Sequence, residues 1–331
     1  MREKIMTRKQ EAIAEDLRKR IASGEFPVGS RLPSEYLLAD EYQVNKTTAN
    51  KAVGLLEHDG LVERRASRAG TIVMVGESFL KGMLLYITSA AHSFHAELLH
   101  GAQFAAFRHG YLVGFFSPQG DEEIDSLLRR LPPFVKGLLI TAYNIHVSNI
   151  PVMYVDRLSL PGQKIHSVNS NSFHGGELIG KALAERGHSN VVFFGTVPLS
   201  QRAAGVFSSL GIRDFKDRLF IGRFDEFNCI ARLKQALKRF PGLTAIACEQ
   251  DDDAMLIRQC AQRAGLNLKK VLLTGFGNVK SVQIHFPLMT IDQHPFEMGG
   301  QAAERLISLI ENPPPPDHWI KDVTDVELLI P

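Results

Sequence analysis

The chain has 331 residues, of which 44% are hydrophobic and 22% are charged, with 38 Lys and Arg against 36 Asp and Glu. This length predicts two or three domains with substantial cores, which excludes a disordered array. The three cysteines, Cys229, Cys248 and Cys260, lack CxxC spacing, and no apolar stretch is long enough to span a bilayer. We therefore expect core thiols, no metal site, no membrane contact and a cytoplasmic protein.

Two helix starts near the N-terminus are rich in polar and cationic side chains. Ser34 is a suitable N-cap, Pro33 ends the preceding segment, and Arg31 lies beside the free N–H groups of the helix start. Such a helix start can bind a DNA phosphate, although a capped helix beside a surface arginine has the same sequence. The residues of this helix pair predicted to contact DNA are Arg31, Ser34, Glu35, Asn45, Lys46, Thr47, Thr48, Asn50 and Lys51. The apolar side chains predicted to pack inward are Leu37, Leu38, Ala39, Val53, Leu55 and Leu56.

A basic hairpin follows these helices. Gly60 ends the second helix, and residues 61–65 and 71–75 alternate in polarity as two strands do. The loop between the strands contains Arg68 and Gly70, and we expect both to contact DNA. Residues 1–75 contain 13 Lys and Arg and 11 Asp and Glu, so the formal excess of +2 lies in this part of the chain.

These segments resemble the winged-helix domain of the GntR family of bacterial regulators. Residues 21–35 (IASGEFPVGSRLPSE) match the family's opening signature, and residues 70–73 (GTIV) match its wing. The family usually has Ser-Arg-x-Thr-Val-Arg on the recognition helix, where this chain has NKTTAN at 45–50. Lys46 binds phosphate without the fork that reads guanine, and Asn50 is better suited to adenine. The resemblance implies a DNA-binding regulator. The two departures predict an operator that differs from the family's common sites, and the alternative for Asn50 is a solvated helix position.

Short buried strands alternate with amphipathic helices from Gly82 onward. The predicted strands are 83–88, 111–116, 137–141, 152–155, 191–194, 219–221, 245–248 and 271–274, and the predicted helices are 96–109, 124–131, 175–186, 229–240 and 254–264. This alternation predicts an α/β fold with parallel sheets that are covered on both faces. Ligands of such sheets bind beyond the carboxyl ends of the strands, where we look for the site.

An ordered series of segments in this part of the chain resembles the effector domain of LacI/GalR-type repressors. The segments are 151–157, 168–171, 185–191, 202–205, 250–254, 275–276, 288–293 and 296–299. The resemblance implies two Rossmann-like subdomains of periplasmic-binding-protein type around a ligand cleft, and a homodimer formed through this domain. We predict a DNA-binding domain at 1–75, a linker at 76–81 and an effector domain at 82–331, with crossovers near 157, 292 and 319.

Strand ends in the second domain carry groups that suit a hydroxyl-rich ligand, because guanidinium forks and carboxylates bind vicinal hydroxyls. Asp156 follows a predicted strand, and Arg202 lies where the family has its ligand-binding arginine; a salt bridge is the alternative for each. Phe94 could stack on the ligand or belong to the core. The predicted effector-binding residues are Phe94, Asp156, Arg157, Arg202, Gln250, Asp251, Phe276 and Asn278.

Two departures from the LacI/GalR pattern bear on the ligand. The family commonly has Ala-Asn-Asp where this chain has Glu249 to Asp251, and it has a carboxylate at the position of Gly277. Either Asn278 takes the place of that carboxylate, or the ligand lacks the hydroxyl concerned, or sugar sensing is modified. The row of acids at 251–253 also fits a helix N-terminus, which favours negative charge.

The sequence favours a regulator over an enzyme. It has no phosphate-cradling glycine loop, nucleophile elbow or metal-spaced histidine pair, so no cofactor is expected. We predict a repressor that binds operator DNA and is released by a small carbohydrate-like effector. The alternatives are an enzyme or a non-sugar sensor with a fused DNA-binding head, and a transport-type binding protein, which the winged helix disfavours.

Overall fold

The structure is a computed structural model that describes residues 2–65, 70–74, 80–88, 93–141, 149–157, 163–198, 200–223, 225–315 and 317–331. Its first elements are three helices and a hairpin: α1 (Arg2–Ala22), α2 (Glu35–Glu41), α3 (Lys46–His58), β1 (Val62–Arg65) and β2 (Gly70–Val73). The two strands are antiparallel. Leu17, Leu38, Leu56 and Val73 are buried in a core that all three helices and the hairpin share. The winged-helix arrangement therefore has a hydrophobic core of its own.

One of the inward-facing predictions for this core is wrong. Leu37 is 62% exposed, whereas its neighbour Leu38 is fully buried. Adjacent residues on a helix point about 100° apart, and α2 turns toward the core the face that carries Leu38, which leaves Leu37 toward solvent.

The next elements form a six-stranded sheet in the order β13-β7-β6-β5-β3-β4, and every pairing in it is parallel. Its elements are β3 (Gly82–Ile87), α4 (Ser93–Arg108), β4 (Tyr111–Phe116), α5 (Asp121–Leu128), β5 (Val135–Ile140), β6 (Val152–Val155) and β7 (Ser167–Ser170), with α11 (Pro295–Glu311) and β13 (Lys321–Thr324) from the end of the chain. Helices α4 and α11 pack on one face over Leu84, Met153 and Val168.

The second sheet has four parallel strands in the order β11-β10-β8-β9. Its elements are α6 (Ser172–Glu185), β8 (Val191–Gly195), α7 (Gln201–Ser209), a 3-10 helix (Lys216–Arg218), β9 (Leu219–Ile221), α8 (Glu226–Arg239), β10 (Ala245–Cys248), α9 (Asp251–Ala264), β11 (Leu272–Thr274) and α10 (Lys280–His285). Two short strands, β12 (Thr290–Asp292) and β14 (Glu327–Leu329), pair antiparallel beside it. The predicted α/β fold with parallel sheets is confirmed.

The chain passes between the two sheets three times. It leaves the six-stranded sheet after β7, returns to it after β12, and leaves it again after β13. The first passage is therefore at Asn171, not near 157, because β6 is followed by β7 in the same sheet. The second passage follows Asp292 and the third follows Thr324, where the sequence predicted crossovers near 292 and 319. The predicted linker at 76–81 lies mostly outside the described residues.

Candidate functional site

Side-chain caps fix the N-termini of α2 and α3 in the winged-helix domain. Ser34 Oγ accepts a hydrogen bond from the backbone N–H of Leu37 at 3.4 Å, and Asn45 Oδ1 accepts one from the backbone N–H of Thr48 at 2.8 Å. Each cap satisfies one of the free N–H groups of its helix and leaves others at the helix start.

Arg31 is exposed beside the wing. Its backbone forms a bridge with Ile72 of β2, and its guanidinium lies over Gly70, where a Cβ would collide with it. Gly70 has φ +74°, a conformation that glycine adopts without strain. The wing therefore holds Arg31 next to the capped start of α2.

Lys46 lies at the first position of α3 with its ammonium over an aromatic ring. Nζ is 4.0 Å from the centroid of Tyr36, whose side chain is 68% exposed. A side-chain hydrogen bond with Tyr36 raises the pKa of Lys46, so the ammonium at the helix start keeps its charge. Thr47 and Lys51 are also exposed on α3.

A cavity of about 530 Å³ lies beyond the carboxyl ends of both parallel sheets. Six of the eight predicted effector-binding residues line it: Phe94, Asp156, Arg157, Arg202, Gln250 and Phe276. Below, this space is called the central cavity. Its place agrees with the rule that ligands of parallel sheets bind beyond the strand ends.

Asp156 and Arg157 follow β6 and are fixed by backbone and side-chain contacts. Asp156 has φ +47° and accepts a hydrogen bond from Gln293 Nε2 at 3.4 Å. The backbone N–H of Arg157 donates to Asn169 Oδ1 at 2.7 Å, and its guanidinium lies 4.4 Å from the centroid of the Tyr154 ring. These contacts hold a carboxylate and a guanidinium at one side of the cavity.

Arg202 is held on the opposite side by three partners. Its Nη1 donates to the carbonyl oxygen of Glu249 at 2.6 Å, its Nε donates to Ser172 Oγ at 3.4 Å, and its guanidinium carbon lies 3.9 Å from the centroid of the Phe276 ring. Only 12% of the side chain is exposed. Glycines at 176 and 205 allow α6 and α7 to approach closely, since a Cβ at either position would collide with the facing backbone. The guanidinium is therefore preorganised for hydroxyl or carboxylate groups.

Two family models match the chain, one in the winged-helix domain and one in the domain that contains the central cavity. Residues 9–73 match the model of bacterial regulatory proteins of the gntR family, and residues 181–327 match that of the periplasmic binding protein-like domain. The chain joins a GntR-type helix-turn-helix domain to a periplasmic-binding-protein-like domain. The predicted combination is confirmed.

Curated relatives of the chain are transcriptional repressors. The HTH-type transcriptional repressor PurR of Erwinia tasmaniensis is 25% identical over 244 residues, which cover 67% of this chain and 71% of that protein. PurR of Yersinia enterocolitica is 24% identical over 262 residues, covering 70% and 75%. With its GntR-type domain, the chain has the architecture of a DNA-binding transcriptional regulator.

Solved structures share the fold at lower identity. The transcriptional regulator CelR in complex with cellobiose superposes with a TM-score of 0.65 at 17% identity, covering 90% of this chain and 99% of that one. A LacI family regulator from Enterococcus faecium with bound ribose gives a TM-score of 0.61 at 20% identity, covering 75% and 97%. Among the described residues, no helix has the length and apolar character needed to cross a membrane.

Two predicted DNA contacts, Thr48 and Asn50, have side-chain hydrogen bonds within the GntR-type domain. Thr48 is only 3% exposed and its hydroxyl donates to Asn45 Oδ1 at 2.8 Å, so it belongs to the cap and cannot reach a base. Asn50 Nδ2 donates to Glu35 Oε1 at 2.7 Å, which ties the two helices together. Arg68 lies outside the described residues.

Sequence reasoning missed Arg64 in the wing. Its Nη2 donates to the backbone carbonyl of Asn50 at 2.8 Å and lies 3.6 Å from Glu35 Oε1, so the residue joins β1 to both helices. No motif distinguishes it from the neighbouring Arg65, because the two differ only in which face of the strand they occupy.

Two predicted effector-binding residues lie away from the central cavity. Asp251 is fully buried and accepts hydrogen bonds from Thr290 Oγ1 at 2.6 Å and the backbone N–H of Val279 at 2.7 Å, so it fixes the loop after β11. Asn278 Nδ2 donates to Asp292 Oδ2 at 2.8 Å, and the residue lines a smaller cavity of about 280 Å³. Asn278 is thus paired with Asp292 beside the smaller cavity.

Several lining residues of the central cavity were not predicted. Gln293 is 2% exposed and donates to Ser170 Oγ at 2.8 Å as well as to Asp156. Asp252 and His95 also line the cavity. Most important is Glu249, which is 5% exposed and accepts a hydrogen bond from Ser200 Oγ at 3.0 Å. The signal that could have identified it was the carboxylate in place of the family's alanine.

Proposed function

We propose that this protein is a repressor whose operator binding is controlled by a small carbohydrate-like effector in the central cavity. The observation that carries the proposal is a preformed polar cavity at the strand ends of a domain that is joined to a GntR-type DNA-binding domain. Such a repressor would act in the bacterial cytoplasm, on the nucleoid when bound to DNA.

The chemistry of the cavity supports a hydroxyl-rich ligand. Asp156 and Arg157 on one side and Arg202 on the other offer carboxylate acceptors and guanidinium donors, while the buried Phe276 ring supports the Arg202 guanidinium. A volume of about 530 Å³ lies within the range of small-molecule sites and can hold a mono- or disaccharide. The solved structures of similar fold that contain cellobiose and ribose support the same class of ligand.

The effector proposal is tested on the full chain. A DNA duplex is first selected by the protein from a random pool, and a panel of mono- and disaccharides is then screened by thermal shift and by release of that duplex. A cavity ligand stabilises the fold by RT ln(1 + [L]/Kd), so the sugar that raises the melting temperature should also release DNA. If no sugar does either, the carbohydrate proposal is wrong.

Arg31 and Lys46 are proposed to neutralise DNA phosphates, because both are exposed at capped helix starts. Arg31→Ala and Lys46→Ala should each weaken binding to all sequences alike and lower the slope of log K against log salt by about one unit. Lys234→Ala, on the exposed face of α8, is the matched control and should leave the slope unchanged. Unchanged DNA affinity in both variants would refute the proposed interface.

A homodimer is proposed, since one winged helix makes too few contacts for a typical specific affinity, and the resemblance to LacI/GalR-type repressors favours a dimer contact in the effector domain. A fragment of residues 80–331 should then sediment as a dimer at micromolar concentration, like the full chain. A monomeric fragment beside a dimeric full chain would assign the contact to the DNA-binding domains instead.

A further inference from the structure

The side-chain amide of Asn50 is held by a carboxylate from the neighbouring helix. Its Nδ2 donates to Glu35 Oε1 at 2.7 Å, across the contact between α2 and α3. An ionised carboxylate only accepts hydrogen bonds, so the amide nitrogen must face Glu35 and the amide oxygen, Oδ1, must point away from it. Glu35 therefore decides which end of the amide is free.

Arg64 holds both members of this pair in place. Its Nη2 donates to the backbone carbonyl of Asn50 at 2.8 Å and lies 3.6 Å from Glu35 Oε1. The guanidinium thus fixes the backbone of α3 at Asn50 and balances the charge of the carboxylate. The amide is preorganised before any DNA is bound.

The free end of the amide lies on the exposed face of α3. Lys46 and Thr47 are exposed, and Asn50 is on their side of the helix, because residues three or four positions apart share a face. No described residue donates a hydrogen bond to Oδ1, and this oxygen is open to solvent. The second helix of a helix-turn-helix domain lies in the major groove, so this face meets base edges there.

We propose that Asn50 reads an adenine of the operator and that Glu35 is the positioning residue that makes it reject guanine. The inference rests on the proposed function, since it concerns the operator of the same DNA-binding domain. In the major groove adenine presents an amino donor beside the acceptor N7, whereas guanine presents two acceptors, O6 and N7. Oδ1 accepts from the adenine amino group, and the second hydrogen of Nδ2 donates to N7.

Guanine would need the opposite orientation of the amide. Its O6 must be met by Nδ2, and the flip that achieves this would turn Oδ1 toward the Glu35 carboxylate, leaving two acceptors face to face. Cytosine also carries an amino donor, but it lacks the neighbouring acceptor and makes only one of the two bonds. The Glu35 contact therefore converts a side chain that can be read both ways into one that favours adenine.

The test measures base discrimination by the full chain. A duplex is selected from a random pool by the wild-type protein, and each of its adenines is replaced in turn by guanine and by purine, a base that keeps N7 and lacks the amino group. At one adenine or more we expect purine to weaken wild-type binding about tenfold, guanine to weaken it at least as much, and purine to have no effect on Asn50→Ala.

Each other result refutes a stated part of the reasoning. If purine affects the wild type and Asn50→Ala alike at every adenine, Asn50 does not read adenine, although DNA binding stands. If guanine is tolerated better than purine at the adenine that Asn50 reads, the amide flips and Glu35 does not fix it. A chain that selects no duplex at all refutes the proposed function, and this inference with it.

Variants of α2 then assign the discrimination to Glu35. Glu35→Gln can offer either a donor or an acceptor to the amide, so the preference for adenine over guanine should fall from about tenfold to about twofold, while the salt slope stays that of the wild type. Glu41→Gln, an exposed change at the other end of the same helix, is the matched control and should keep the wild-type preference. Full discrimination in Glu35→Gln would refute the positioning role. If that variant does not fold, the order of the purine and guanine penalties on the wild-type chain still decides it.

Discussion

Replacement of Asp251 separates a structural carboxylate from a ligand-binding one. Asp251→Ala removes the acceptor of two hydrogen bonds and leaves the Thr290 hydroxyl and the Val279 N–H unpaired in the interior. A hydrogen bond to a charged group contributes about 1.5 to 3 kcal/mol. Burial opposes this gain, since it raises the pKa of Asp251. We therefore expect a net loss of about 2 to 4 kcal/mol in the free energy of unfolding.

Urea denaturation followed by far-ultraviolet circular dichroism measures this loss as a lower midpoint at constant slope. Asp251→Asn should lose about 1 to 3 kcal/mol, because an amide keeps one acceptor and turns a donor toward another donor. Asp125→Asn, an exposed change on α5, is the control and should lie within about 0.5 kcal/mol of wild type. If Asp251→Ala has the wild-type urea midpoint and loses effector binding, the structural role is refuted and Asp251 is a ligand contact instead.

Two further predictions concern the charged groups around the central cavity. Arg202→Ala should weaken effector binding by roughly ten- to a hundredfold and leave DNA affinity without effector unchanged. The variant should therefore stay on DNA at effector concentrations that release the wild-type protein. Release at the wild-type concentration would exclude Arg202 as a ligand contact. Asp253 has a folded pKa of about 7 against an ordinary value of 3.8, so its contribution destabilises the fold progressively as pH rises from about 4 through 7, by about 4 kcal/mol at most. Asp253→Asn should therefore raise the melting temperature at pH 8 more than at pH 5, and an equal shift at both pH values would contradict the buried, neutral carboxyl group.

The DNA-binding domain was predictable because its signal is local. Residues 21–35 combine a helix end, a turn and a capped helix start in one continuous segment, and the structure contains the predicted Ser34 cap. What the segment could not determine was the rotation of α2 about its axis. Both Leu37 and Leu38 are apolar, and only packing against α1 and α3 decides which one is buried.

The effector domain was predictable in its apolar strands and not in its polar ones. Strands β7 and β13 have the sequences SVNS and KDVT, which lack the apolar character of a buried parallel strand. They pair with each other at the edge of the six-stranded sheet, and their absence from the prediction placed the first crossover fourteen residues too early. The residues that line the cavity are harder to predict than the strands. Glu249 and Asp251 are only two positions apart, at the point where β10 ends and α9 begins. Which of the two lines the cavity depends on backbone geometry that the sequence pattern does not contain.

The two departures from the LacI/GalR pattern, Gly277 and Glu249, lie at the ends of two neighbouring strands, β11 and β10. Gly277 has φ +122°, a conformation that residues with side chains rarely adopt, so an aspartate here would be strained even though its Cβ would make only ordinary van der Waals contacts with Val279 and Gln293. The family's carboxylate is thus excluded by the backbone at the end of β11. This chain instead has a carboxylate at the end of β10, where Glu249 lies beside Arg202 and the family has an alanine. The carboxylate of this chain therefore lies at the end of the neighbouring strand and is buried, so it would meet a different atom of a ligand than the family's carboxylate does.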